Sequence, residues 1–153
     1  MMFTNELTER LKSHDTPFYY YDLDLLHETL AVASGEAANR GFKLHYAVKA
    51  NFNPVIMKII AGYGLGADCV SGNEIELAVN CGFPAGETVF AGVGKSDREI
   101  ETALKLGIKC FNVESSAELE VINDIAGKMD SRAAVALRIN PNVEAHTIRH
   151  ITT

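Results

Sequence analysis

The sequence contains no block of lysines or arginines: 14 of these residues are scattered among 20 aspartates and glutamates, and the net charge is −6. That absence excludes the basic stripe with which a protein meets nucleic acid or an anionic membrane surface. Long apolar runs are missing too, since no segment approaches the roughly 18 uncharged apolar residues of a membrane helix. Residues 1–11 carry Glu6, Glu9 and Arg10 and no apolar stretch, unlike a secretory signal. Cysteine is scarce. Cys69, Cys81 and Cys110 are odd in number and lack CxxC spacing, so neither a disulfide frame nor a zinc site is expected and a reducing, cytoplasmic compartment is.

Several catalytic signatures are absent as well. His146 and His150 lie four apart near Glu144, but there is no HExxH and little helical pattern around them, so no metal site is assigned. No serine lies in GxSxG and no Cys–His pairing can be argued. Gly92-Val93-Gly94-Lys95-Ser96 has the ending of a P-loop, but GxxxxGK[ST] needs glycine where Val89 stands, which leaves a βα turn with a helix cap. Gly62, Gly64 and Gly66 form GxGxG ahead of a strand rather than after one, which reads as a helix stop and loop instead of a dinucleotide fingerprint.

What is present is a regular alternation. At 153 residues, 47% apolar and 22% charged, the chain suits one globular domain with a real core. β-Branched and aromatic runs predict strands at 18–22, 42–49, 67–70, 88–91, 109–113 and 133–139. Between them, helical periodicity predicts helices from Leu23 to about Asn39, from Pro54 through Tyr63, and from a Ser71 cap to about Cys81. Two more run from a Ser96 or Asp97 cap to Leu106 and from a Ser115 or Ser116 cap to about Ala126. Ser71 with Glu74 makes a capping box, and Gly82 and Gly107 stop their helices. Strand alternating with helix means βα units and a parallel sheet, in either an open doubly wound form or a (β/α)8 barrel. A whole barrel needs roughly 250 residues. A barrel reading therefore makes residues 1–153 its truncated N-terminal part, ending on Ile151-Thr152-Thr153 without a terminal helix.

Residues two apart on a strand share a face. His45, Ala47 and Lys49 would share one, as would Cys110, Asn112 and Glu114, and Ala136, Arg138 and Asn140; the opposite faces are apolar. Small residues leading to a polar one at the carboxyl end is how a barrel builds a site, and Lys49, Asp68, Asn112, Glu114, Arg138 and Asn140 would converge there. A lysine enclosed in such a site loses hydration, and its freed amine suits Schiff-base chemistry with an aldehyde. The plainer reading, a solvated first loop residue, applies to each position singly more easily than to the set.

His45-Tyr46-Ala47-Val48-Lys49-Ala50-Asn51 resembles the lysine segment of the fold-type III pyridoxal-phosphate (PLP) enzymes, the group of alanine racemase and the ornithine and diaminopimelate decarboxylases. Gly66-Ala67-Asp68-Cys69-Val70-Ser71-Gly72-Asn73-Glu74, the opening Thr16-Pro17-Phe18-Tyr19-Tyr20-Tyr21-Asp22 and Leu137-Arg138-Ile139-Asn140-Pro141-Asn142-Val143 follow in order and resemble the diaminopimelate decarboxylase family in particular. One departure is Ile148, where that family commonly has histidine. The resemblance implies an incomplete TIM-type barrel of the alanine racemase/decarboxylase kind. It implies that Lys49 carries PLP, that Asp68 and Arg138 lie near the cofactor, and that Glu74 takes a cofactor-associated position, although Ser71 and Glu74 also make complete sense as a cap. It further implies a homodimeric parent enzyme that decarboxylates meso-diaminopimelate to L-lysine. The rest of the barrel, the phosphate cradle and a β-rich domain would lie outside these residues, and the isolated chain is expected to be inactive. Another basic amino-acid decarboxylase, a racemase, or a non-catalytic module binding PLP or a partner remain the alternatives.

Overall fold

The computed structural model describes residues 4–140. Glu144, His146, Ile148 and His150 lie outside the described residues, as does the tail of the Leu137–Val143 segment. The chain runs α1 (Asn5–Leu11), α2 (Leu23–Asn39), β1 (His45–Ala47), α3 (Pro54–Gly62), β2 (Gly66–Cys69), α4 (Gly72–Asn80), β3 (Thr88–Phe90), α5 (Asp97–Leu106), β4 (Cys110–Val113), α6 (Ser116–Lys128) and β5 (Val135–Leu137). All five strands are parallel and neighbour one another in sequence order, β1-β2-β3-β4-β5. That order decides between the two expected architectures. A doubly wound sheet reverses direction at a switch point, whereas this one steps steadily, and right-handed crossovers then place every connecting helix on one face. The result is part of a parallel α/β barrel.

The core lies between that face and the helices. Ala67 and Cys69 of β2, Phe90 of β3, and Phe111 and Val113 of β4 are buried with Ile56, Met57 and Ile60 of α3, Ile75 and Ala78 of α4, Ile100 and Ala103 of α5, and Ile122 and Ile125 of α6. The Phe90 and Phe111 rings pack 6.0 Å apart across adjacent strands. The other face, read from the strand register, presents His45, Ala47, Gly66, Asp68, Val89, Cys110, Asn112 and Ala136. It is the side toward which a barrel closes.

Three expectations change. The aromatic run at 18–22 is not a strand: it forms irregular chain, because it lies against the segment after β1 instead of along a strand, with Tyr21 Oη accepting from Asn51 Nδ2 at 3.1 Å. The strand expected over 42–49 is paired only from His45 to Ala47, and Val48–Ala50 turns as a 3-10 helix, so Lys49 stands on a turn. Helix α1 was not expected; Thr4 caps it by accepting from Leu7 N at 3.1 Å.

Candidate functional site

Lys49 sits at the carboxyl end of β1, on a turn that packs against β2 and α4. Neighbouring side chains pin that turn. Tyr46 Oη donates to Asn51 O (2.9 Å), Asn53 N donates to Asn51 Oδ1 (2.9 Å), and Asn51 Nδ2 reaches Tyr21. Burial raises the Tyr46 phenol above its usual range, against the opposing pull of the Asn51 bond, so it stays a donor. Val48 beneath is wholly buried while Lys49 is exposed, and Lys49 has no hydrogen bond or ion pair among the described residues. A fixed backbone thus carries a free amine.

On β2, Asp68 pairs in register with Ala47, two residues before Lys49. Its Oδ1 is buried without a hydrogen-bond partner among the described residues, and so is Nε2 of His45 on the same face. Register puts the two on one face, and Gly66, partner of His45, leaves room there for the imidazole: a Cβ would meet the His45 ring at 2.5 Å and strike the Glu87 carbonyl. Two unpartnered buried polar atoms beside a free lysine leave hydrogen-bonding capacity that a polar ligand can satisfy.

The next three strand ends share one device. Ser71-Gly72-Asn73-Glu74, Ser96-Asp97-Arg98-Glu99 and Ser115-Ser116-Ala117-Glu118 each put serine at the N-cap and glutamate three residues on. Ser71 and Ser115 have the same backbone angles, φ −152° and ψ 159°. The glutamate reaches back in both turns: Glu74 Oε2 accepts from Val70 N (2.7 Å), and Glu118 Oε2 accepts from Glu114 N (2.8 Å). Glu99 does more. Its Oε2 accepts from Ser96 N (3.0 Å) and Oγ (2.7 Å), while its Oε1 accepts from Gly72 N (2.7 Å), so one carboxylate serves two helix starts and is held below the usual carboxylate range by those bonds.

A cavity of about 380 Å³ opens beyond β4, lined by Ala91, Asn112, Glu114, Ala136, Leu137 and Arg138. Glu114 Oε2 pairs with Arg138 Nη1 (3.2 Å), and Glu114 Oε1 accepts from Gly92 N (3.2 Å). Gly92 has φ +101°, a glycine conformation, and its Cα packs so near Val70 that a Cβ would sit 3.3 Å from Val70 O. Of the six expected residues, the fold therefore joins Asn112, Glu114 and Arg138 in one cavity. Lys49 on the turn after β1 and Asp68 on β2 lie apart from that cavity's lining, and Asn140 is exposed. Glu74 Oε2 is taken by the N–H of Val70, one residue before the Ser71 cap, so only the serine half of the expected capping box forms, with Ser71 Oγ accepting from Glu74 N. Outside those six, the fold adds His45, which shares a β1 face with Ala47, and Lys95, whose ammonium reaches Gly92 O, Asn112 O and Glu118 through contacts between loops that no local pattern displays. Among the described residues no group of three His, Cys, Asp or Glu side chains is placed to hold a metal.

Residues 28–153 match the family model for the pyridoxal-binding domain of pyridoxal-dependent decarboxylases. The chain belongs to that family. Diaminopimelate decarboxylase of Bacteroides thetaiotaomicron is 54% identical over 95% of the chain, and that of Aquifex aeolicus 42% identical over 96%. Among solved structures, Helicobacter pylori diaminopimelate decarboxylase complexed with L-lysine superposes on 94% of the chain with a TM-score of 0.83 at 42% identity. A chlorella-virus arginine decarboxylase bound to agmatine matches 90% with a TM-score of 0.74 at 25% identity. The chain spans 38%, 34%, 36% and 37% of these proteins respectively, a little over a third of their length. As a pyridoxal-binding domain it places Lys49 and Asp68 at the carboxyl edge of the sheet, where barrel enzymes assemble their sites.

Proposed function

We propose that this chain is the PLP-binding front of a diaminopimelate decarboxylase, residues 1–153 contributing the first part of its barrel, with Lys49 as the residue that holds the cofactor. The observation carrying the proposal is a Lys49 without a partner among the described residues, on a pinned turn that packs against β2, where an Asp68 oxygen is buried and likewise without a partner among those residues. The residues fit the group chemically. PLP offers an aldehyde to an amine and polar ring atoms to a carboxylate, and its function is to delocalise the electrons left on an amino acid's Cα when the carboxylate departs as CO2. The chain's own groups do the holding. Lys49 would hold the cofactor through its aldehyde, Asp68 would orient the ring, Arg138, the residue after β5, would supply positive charge, and Glu74 would offer Oε1 while Oε2 holds the Val70 N–H. The substrate proposed is meso-diaminopimelate and the product L-lysine, on the strength of several relatives that carry this name at 42–54% identity. Three unpaired cysteines suit the cytoplasm. A homodimeric whole enzyme stays an implication of the resemblance.

The test uses the purified chain. It is incubated with PLP, reduced with borohydride and mapped by peptide mass. A single pyridoxyl adduct on Lys49, abolished in Lys49→Arg, is expected. Labelling scattered over exposed lysines such as Lys12 and Lys58, or none, would overturn the cofactor assignment.

A further inference from the structure

Lys95 is a different kind of lysine from Lys49. Its side chain is 1% exposed, and its ammonium has three donors and three acceptors: Gly92 O at 2.7 Å, Asn112 O at 2.9 Å, and Glu118 Oε1. It also lies 5.3 Å from the centroid of the buried Phe90 ring. With every proton donated and no solvent contact, this amine is closed to aldehydes. Each of its partners leads toward the cavity at β4 and β5. The Gly92 carbonyl belongs to the residue whose N–H binds Glu114; the Asn112 carbonyl belongs to a cavity wall; Glu118 fixes Glu114 N with its other oxygen. The matching turn between β2 and α4, whose Ser71 has the same backbone angles as Ser115, has no lysine on its Glu74 among the described residues. The cap geometry alone therefore does not require one.

We propose that Lys95 is a positioning residue for the candidate active site: its buried ammonium ties the β3–α5 and β4–α6 turns together and so fixes the Glu114 carboxylate where it pairs with Arg138. The link to catalysis rests on the PLP reading; the positioning itself does not. Lys95 acts only through Gly92, Asn112 and Glu118 and touches neither Arg138 nor Lys49.

Amide hydrogen exchange and urea unfolding on the whole chain separate positioning from plain stability. Lys95→Met leaves Glu118 buried and unpaired, which lowers global stability by itself, so the deciding variant is Lys95→Met combined with Glu118→Leu. It removes both charges together and recovers folding. Expected in that double variant is exchange at the Gly92 and Glu114 amides about tenfold faster than in the parent chain at equal global stability, with β2 and β3 amides unchanged. The Glu118→Leu single variant controls for the lost Glu114 bond; it leaves Lys95 its two carbonyl partners but an unpaired charge, so exchange is compared at global stability matched with urea, and Gly92, which Glu118 does not contact, should remain slow in it. Gly92 exchange in the double variant equal to that in Glu118→Leu would overturn the proposal. Borohydride trapping in the parent chain judges the cofactor reading separately, so the two can fail independently.

Discussion

Cys69 lies on β2 between Asp68 and the Glu74 cap, wholly buried, and burial reinforced by the charges of Glu74 and Asp68 pushes its thiol from 9.0 up to about 12. Two consequences follow for chemistry at this residue. The thiolate is the reactive form, so Cys69 should resist iodoacetamide at pH 8 in the folded chain and react once urea opens it. The linkage has a definite sign. Between about pH 9 and 12 the unfolded chain has released this proton and the folded chain has kept it, so rising pH favours unfolding, and the stabilisation present below pH 9 is lost across that window. Cys69→Ala should flatten the alkaline arm of the stability curve measured by urea titration. An identical slope in both proteins would mean that the thiol does not distinguish folded from unfolded chain.

At the scale of the element, the βα units were legible wherever one local signal sufficed. Ser71, Ser96 and Ser115 marked helix starts because a serine oxygen meets a free amide there, and Gly107 ended α5 in the left-handed conformation that glycine alone adopts freely. Tyr19 to Tyr21 have strand composition, yet composition does not supply a neighbour, and the turn after β1 engages that segment instead, with Asn51 bonded to Tyr21. Lys49 is singled out by its surrounding motif, but its backbone differs from the expected strand, since the alternation of a strand continues on paper into residues where a 3-10 turn forms. Glu99 shows what sequence periodicity cannot: it looks like an ordinary capping-box residue, but it also caps α4, 27 residues back. Truncating it leaves two helix starts with unmet donors, so Glu99→Ala should cost about 1–3 kcal/mol at pH 7 by urea unfolding. Glu99→Gln tests the charge. The folded carboxyl is held below its usual value of 4.5, so its stabilisation exists above that pH and is lost as acid reaches the folded value. The Gln variant should consequently lose less stability than the parent as pH falls below 4.5, where the unfolded carboxyl takes up its proton and the folded one still withholds it; parallel acid curves would refute the role.

At the scale of the whole molecule, the two edges of the sheet differ, and the difference predicts behaviour in solution. His45, Tyr46 and Ala47 of β1 are half-buried, and the pinned Asn51 turn and aromatic segment lie close to that edge. At the other edge Val135, Leu137 and Ile139 are 41%, 64% and 76% exposed, Leu119 of α6 lines a cavity together with Val135, and among the described residues β5 pairs with β4 alone. An apolar strand with one unpaired side offers its amides and carbonyls to any extended segment, and no lysine or proline in β5 blunts the offer. The chain should therefore self-associate through β5 as concentration rises. Sedimentation velocity across a concentration series should show a weight-average coefficient that climbs for the parent chain and stays flat for Leu137→Lys combined with Ile139→Lys. Both positions are exposed, so the charges need not be buried in the monomer, and circular dichroism should report an unchanged fold. The lysines act twice, by adding repulsion between approaching copies and by removing the apolar area that contact would cover. If the doubly charged variant associates as the parent does, association runs through another surface, and the aromatic segment at Tyr19, 89% exposed, becomes the next position to charge.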